Sequence, residues 1–252
     1  MSGNQKVVII CGPTASGKSA LALRLAETLP VEIINADSQQ VYRGLDLGTA
    51  KPSADDLRQV SHHLIDIVPP DANFSAADFV AAADEAIATI MARGSLPVVV
   101  GGTGLYLRAL LHGLVDSPSG AATIRQELQA EADEKGAAAL YVDLQQVDPL
   151  TAARIHPHNL VRIIRALEVY RLTGIPLSTY QQQHGFNEVR YDSLQLGIQV
   201  GRQELYQRID KRVERMLNEG LLQEVQQLLG SGLSPSAKGL GAIGYKEMLA
   251  YL

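Results

Sequence analysis

Two rhythms of hydrophobic positions run along the chain. Short apolar runs at residues 7–10, 32–36, 64–68, 97–100 and 194–200 are rich in valine and isoleucine and bounded by polar or glycine-containing segments. Runs this short and β-branched predict strands. Between them apolar positions recur every three or four residues, the spacing of a helix with one buried face. The plainest such helix spans 79–93. It follows Ser75-Ala76-Ala77-Asp78, a serine cap with an acidic first turn, and stops at Arg93-Gly94. Strands alternating with helices predict an α/β fold in which helices cover both faces of a doubly wound parallel sheet.

The strand rhythm stops between about 118 and 185. Residues 124–135, 148–155 and 159–172 read as helices, with turns at Gly136, Pro149, Pro157 and Gly174. The economical arrangement is a core domain of residues 1–117 and 186–252, with a helical insertion domain of 118–185 between the fourth and fifth strands. No internal repeat or low-complexity tract interrupts this plan; the alanine triplet Ala137-Ala138-Ala139 reads as helix. The final stretch, Gly244-Tyr245-Lys246-Glu247-Met248-Leu249-Ala250-Tyr251-Leu252, stops in an apolar helical pattern with no glycine cap or polar tail. It reads as a chain cut short.

Composition narrows the class without changing this picture. With 252 residues, 46% hydrophobic and 19% charged, the chain can bury one good core or a core and a smaller unit. The polar start, Met1-Ser2-Gly3-Asn4-Gln5-Lys6, lacks the apolar stretch of a signal peptide. No run approaches the roughly 18 apolar residues of a membrane span. The single cysteine, Cys11, cannot form an internal disulfide and reads as a small buried side chain. A cytoplasmic location and no membrane partner are expected. The net charge of −5 argues weakly against bulk nucleic-acid binding, but leaves room for a local basic face.

The strongest chemical signal is Gly12-Pro13-Thr14-Ala15-Ser16-Gly17-Lys18-Ser19, placed between the first predicted strand and the helical stretch that starts at Ala20. Unpaired N–H groups at a helix start point at an anion, and the helix dipole favours negative charge there. Glycine adopts backbone angles that other residues resist. Lys18 adds a positive charge, and the Ser19 hydroxyl can reach a magnesium ion. These eight residues predict a site for a di- or triphosphate.

Ligands of open parallel sheets bind beyond the carboxyl ends of the strands. There the second strand delivers Asp37, the fourth delivers Gly101-Gly102-Thr103-Gly104-Leu105-Tyr106, and the fifth delivers Arg202. Singly, each is an ordinary helix cap or helix start. Together they place a carboxylate, a hydroxyl and a guanidinium around the phosphate loop. Lys18 and Arg202 could neutralise a departing phosphate. Asp37 could accept a proton or hold magnesium, and spacing leaves both open. His62-His63 and His156-Pro157-His158 lack cysteine or acidic partners at zinc-ligand spacing.

Further motifs extend the phosphate loop into a family resemblance. Asp37-Ser38-Gln39-Gln40-Val41-Tyr42 leads to Gly48-Thr49-Ala50-Lys51-Pro52, and Gly101 to Tyr106 follows. Then come Asp148-Pro149, Arg154-Ile155-His156-Pro157, Arg162-Ile163-Ile164-Arg165-Ala166-Leu167-Glu168-Val169, Thr173-Gly174, Arg202, Arg208-Ile209, Arg212 and Ile243-Gly244-Tyr245-Lys246. In this order, over nearly the whole chain, they resemble the tRNA dimethylallyltransferases, also called tRNA isopentenyltransferases. The resemblance implies a P-loop NTPase-like core whose loop, Gly12 to Ser19, holds dimethylallyl diphosphate rather than ATP. It implies transfer of the dimethylallyl group to N6 of the adenosine just 3′ of the tRNA anticodon.

By the same resemblance Asp37 is the general base, Thr103 hydrogen-bonds the leaving oxygen and Arg202 grips the diphosphate. Lys18 and Ser19 bind diphosphate and Mg2+, and tRNA contacts fall on Asp37, Ser38, Gln39, Gln40, Thr103, Arg125, Arg162 and Arg165. The insertion, which also carries Arg154, is expected to close over the anticodon stem-loop of a substrate bound by a monomer. A salt-bridged helix face with Glu168 is the competing reading of Arg162 and Arg165. The sequence departs from the family at Val161-Arg162, where Gln-Arg is common, and lacks the segment that normally follows Gly-Tyr-Lys. Three other readings remain: an isopentenyltransferase acting on free adenine nucleotides, a small-molecule kinase with the insertion as lid, and a non-catalytic RNA-binding module.

Overall fold

A computed structural model of the chain describes residues 5–115, 118 and 122–252. Packing divides it into two compact units. One comprises the chain up to His112 together with Val189–Leu252; the other is Gly113–Glu188.

The first unit is built on β1 (Lys6–Cys11), α1 (Lys18–Ala26), β2 (Val31–Asn35), α2 (Ala54–Gln59), β3 (His62–His63), α3 (Ala76–Ala92), β4 (Leu96–Gly101) and α4 (Gly104–His112). The second unit then contributes α5 (Ala122–Lys135), α6 (Ala137–Val147), α7 (Pro149–Ala152), α8 (Leu160–Thr173) and α9 (Leu177–His184). The chain returns to the first unit with β5 (Asp192–Gly197), α10 (Arg202–Asn218), α11 (Leu221–Gly230), a 3-10 turn at Gly239–Gly241, and α12 (Tyr245–Tyr251).

All five strands are parallel, in the order β3-β2-β4-β1-β5. Alternating side chains feed two cores. Ile9, Ile34 and Val99 pack with Phe79, Ile87, Ile90 and Leu110 of α3 and α4. Ile10, Ile33, Val98 and Val100 pack on the opposite face with Ala22 of α1 and Val60. Burial on both faces explains why these strands read as continuous apolar runs. Both α2 and α3 begin with capping boxes, at Ser53 with Asp56 and at Ser75 with Asp78.

The third strand differs from expectation. Residues 64–68 do not form it; His62 and His63 do, opposite Ile33 and Ile34. Leu64 and Asp66 adopt left-handed backbone angles, with φ of 63° and 56°, which break a strand. The segment is apolar because Leu64 and Ile67 pack into the core from an irregular loop. The fifth strand also begins earlier than expected, because Asp192 to Gly197 align with Lys6 to Cys11.

The helical unit has its own core, formed by Leu128, Leu140, Leu144, Ile163 and Leu167 with their neighbours. The predicted helix over 148–155 is shorter: Asp148 caps the four-residue α7. Asp148 is 1% exposed and accepts hydrogen bonds from Thr151 N (3.0 Å), Thr151 Oγ1 (2.7 Å) and Ser178 N (2.9 Å). It thereby ties α7 to α9. Burial pushes its carboxyl up, but the Thr151 and Ser178 hydrogen bonds outweigh this and hold it below 3.8. Glu168 is fully buried, and one of its oxygens accepts from both Arg125 (2.7 Å) and Arg165 (3.0 Å). Burial opposes its charge too, yet the two arginines hold it below 4.5.

Both carboxylates are therefore depressed in the folded state. Their stabilising contribution is present above these ordinary values and is lost as pH falls through the lower folded ones. Thermal stability should drop as pH is lowered past about 4, and Glu168→Gln should flatten that drop. A Glu168→Gln melting curve that tracks the parent at every pH would contradict this.

Candidate active site

The phosphate loop is shaped by close packing. Gly17 caps α1 with φ 96°, and Ala15 has φ 62°. A Cβ on Gly12 would lie 2.9 Å from the Ile198 carbonyl oxygen and from Ser16 Oγ. Lys18 folds back so that Nζ donates to the Pro13 carbonyl at 2.8 Å. Burial lowers the Lys18 pKa; Asp37 acts against that shift and Arg212 adds to it. Ser16 Oγ is buried, with no hydrogen-bond partner among the described residues.

The end of β4 passes beneath the end of β2 with no room to spare. A Cβ on Gly101 would sit 2.1 Å from the Ala36 carbonyl oxygen. This close passage brings Thr103 under the turn that carries Asp37. Thr103 N donates to Ala36 O (3.3 Å), and Thr103 Oγ1 accepts from Ser38 N (3.1 Å). Asp37 Oδ1 accepts from Gln39 N at 2.8 Å, a local Asx turn that fixes the carboxylate.

A loop over residues 45–51 forms the facing wall. Gln40 Nε2 donates to the carbonyls of Thr49 and Ala50, each at 3.0 Å. Lys51, nearly buried, pairs with Asp46 and Asp66 and donates to the Tyr42 carbonyl at 2.7 Å. From behind, Glu224 Oε2 accepts from Asp46 N (3.3 Å) and Leu47 N (2.9 Å). Tyr245 OH accepts from Gly48 N (3.1 Å) and donates to Glu224. Gly48 must be glycine here, since a Cβ would lie 2.3 Å from the Tyr245 ring. Burial and the Glu224 carboxylate push the Tyr245 phenol well above its ordinary pKa.

Helix α10 completes the enclosure. Arg208, Lys211, Arg212 and Arg215 line the same cavity of about 660 Å3 as residues 14–19, Asp37, Gln40 and the 46–51 loop. Arg212 Nη2 donates to Thr49 O at 3.3 Å. Burial lowers its pKa, Asp37 counters this, and Arg215 adds to the lowering.

The sequence-predicted residues do not all meet in this cavity. Thr14 to Ser19, Asp37 and Gln40 line it, while Thr103 supports it through Ser38. Arg202 does not line it: the side chain is exposed, Nε donates to Tyr206 OH at 2.9 Å, and the guanidinium lies 5.3 Å from that ring. In the helical unit Arg125 and Arg165 engage Glu168. Arg162 is exposed, with no ion pair among the described residues, and Val161 beside it is 80% exposed. Sequence reasoning missed Lys211 and Arg215. Their signal is the run of cations at 208, 211, 212 and 215, the spacing of one helix face.

A divalent ion suits the donors present. Among the described residues there is no cluster of three or more His, Cys, Asp or Glu that could cage a metal. Ser19, exposed in the first turn of α1, and Asp37 line the same cavity. Magnesium needs one or two protein oxygens and completes its shell with phosphate and water, so this sparse set fits.

A parallel sheet ending in a phosphate loop, with a carboxylate and a row of cations on one rim, defines a P-loop α/β protein. The family model described as IPP transferase matches residues 40–252. The chain is 60% identical over 247 residues to tRNA dimethylallyltransferase 1 of Pelobacter propionicus, covering 98% of this chain and 80% of that protein. Among solved structures it is similar to the tRNA isopentenylpyrophosphate transferase of Bacillus halodurans, with TM-score 0.68 and 42% identity, over 98% of this chain and 77% of that one. A eukaryotic dimethylallyltransferase acting on tRNA matches with TM-score 0.81 and 32% identity, over 98% of this chain and 63% of that one. The chain belongs to the IPP transferase family.

Proposed function

We propose that this chain transfers the dimethylallyl group of dimethylallyl diphosphate to N6 of the adenosine 3′-adjacent to the anticodon in tRNA. The observation that carries this reading is Asp37 standing in one cavity with the phosphate loop, Lys18 and Arg212. A carboxylate beside an anion cradle suits removal of a proton from an amine while a diphosphate departs. The allylic C–O bond breaks, the C–N6 bond forms, the N6 proton passes to Asp37, and diphosphate leaves.

Gly12 to Lys18 and Arg212 hold the diphosphate and offset the charge that develops on it. Thr103 keeps its hydroxyl proton for the leaving oxygen, and Arg202 joins the diphosphate on release from Tyr206. Ser19 would hold a magnesium ion, which would supply further charge neutralisation on the diphosphate. An adenine stacked within a loop has to be flipped out to reach such a cavity, at a cost of a few kcal/mol. Ser38, Gln39 and Gln40 flank Asp37 and contact the extruded nucleotide. Arg125, Arg162 and Arg165 provide RNA contacts on the helical unit, Arg162 being the one whose side chain lies open to solvent without an ion pair among the described residues. The chain acts as a monomer in the cytoplasm; among the described residues no helix is long and apolar enough to cross a membrane.

The test is transfer of labelled dimethylallyl from its diphosphate, with magnesium, to an adenosine-containing anticodon stem-loop or to AMP. Label on the RNA alone is the expected result. Label on AMP would instead make this an enzyme of free nucleotides, and label on neither would remove the prenyl-transfer reading.

A further inference from the structure

Four cations of α10 line the cavity, but among the described residues only Arg208 and Arg212 form an ion pair or a side-chain hydrogen bond. Arg208 pairs with Glu204 (2.6 Å) and donates to the Ala15 carbonyl (3.4 Å). Arg212 donates to Thr49 O. Lys211 and Arg215 are exposed and, among the described residues, form neither an ion pair nor a side-chain hydrogen bond. They lie four residues apart on one helix face, where like charges repel.

Nearby carboxylates do not answer them. Asp46 is held by Lys51, and Asp56 by Ser53. Glu219, four residues beyond Arg215, forms no ion pair with it among the described residues. The diphosphate already has Lys18, the loop N–H groups and Arg212. Lys211 and Arg215 therefore hold positive charge on the wall of a substrate cavity beyond what that anion requires.

We propose that Lys211 and Arg215 form a second anion subsite, which grips a backbone phosphodiester of the RNA beside the reacting nucleotide. This rests on the function proposed above, in which the second substrate is a polynucleotide. A phosphodiester is the anion such a substrate brings with its base. Two cations one turn apart on a helix can bracket a single phosphate from adjacent positions. The subsite also favours a polynucleotide over a free nucleoside, because a nucleoside carries no phosphodiester for these cations to grip.

The proposal is tested with Lys211→Ala and Arg215→Ala in the whole chain, both at exposed positions. Binding of the anticodon stem-loop is measured across a salt series without dimethylallyl diphosphate, and KM for the diphosphate is measured separately. Each variant should bind RNA several-fold more weakly. The slope of log K against log salt should shrink in each variant, and by roughly 0.7–0.9 when both are combined, the value for one phosphate no longer neutralised. KM for dimethylallyl diphosphate should not change, and Lys211→Arg should restore the slope. A raised diphosphate KM with unaltered RNA binding would assign the pair to the diphosphate and overturn the subsite. Variants with parental values in both assays would overturn it equally. Parent protein that prenylates AMP and ignores RNA would sink the function itself, whereas parent that prenylates RNA alongside silent variants would sink the subsite alone.

Discussion

Asp37→Ala is expected to slow turnover by roughly 10²–10⁴-fold while leaving RNA affinity nearly unchanged, the range over which a positioned general base acts. The carboxylate lines the cavity, and its negative charge is felt at both Lys18 and Arg212. It also has a structural task, since Oδ1 accepts the Gln39 N–H. Asp37→Asn separates the two, because the amide oxygen still accepts that hydrogen bond while the amide is a far weaker base. If Asp37 takes the N6 proton, both variants lose turnover to a similar degree in single-turnover reactions with RNA prebound. A fast Asn variant beside a slow Ala variant would make Asp37 a prop for the turn and no more.

Lys18→Met, which keeps most of the apolar stem, should reduce turnover by roughly 10²–10³-fold, as expected when one donor to a developing anion is removed. KM for the diphosphate should rise as well. The ammonium is partly buried and held against Pro13, so it is already in place before the ligand arrives. Burial and the neighbouring Arg212 lower its pKa in the free protein. The charged form is therefore lost as pH rises through a value below 10.5, and diphosphate affinity should weaken earlier in the alkaline range than an ordinary lysine would dictate. Methionine at this position with parental kinetics would shift the whole task of charge neutralisation to α10.

What the sequence revealed follows from how local each feature is. The phosphate loop, Asp37 and the Gly101-Gly102-Thr103 turn each depend on a strand end and the few residues after it, and all were legible. Arg202 shows the limit. A helix start was readable, but the side chain that faces the cavity depends on helix rotation, which here turns Arg208, Lys211, Arg212 and Arg215 inward and leaves Arg202 on Tyr206. The third strand shows another limit, since an apolar run records burial and not extension. Leu64 is buried, and Ile67 packs half-buried against the same core, from a loop whose left-handed residues no hydrophobic pattern announces. For Arg162 and Arg165 the choice between an RNA contact and a salt-bridged face with Glu168 turns on tertiary packing: Glu168 is completely buried and engages Arg165, while Arg162 forms no ion pair among the described residues.

The hydrogen bond between Gly48 and Tyr245 spans 197 positions of chain, which sets a limit on how early in synthesis this wall can be completed. During synthesis the phosphate loop and β1 to β4 leave the ribosome long before α11 and α12. Until Glu224 and Tyr245 emerge, the N–H groups of Asp46, Leu47 and Gly48 have none of the partners that hold the 46–51 wall. A nascent chain can therefore display a phosphate loop without a finished pocket. Stalled chains ending before Tyr245 should leave this wall open to protease, and those extending well past it should protect it, which places ligand competence among the late events of the protein's biogenesis.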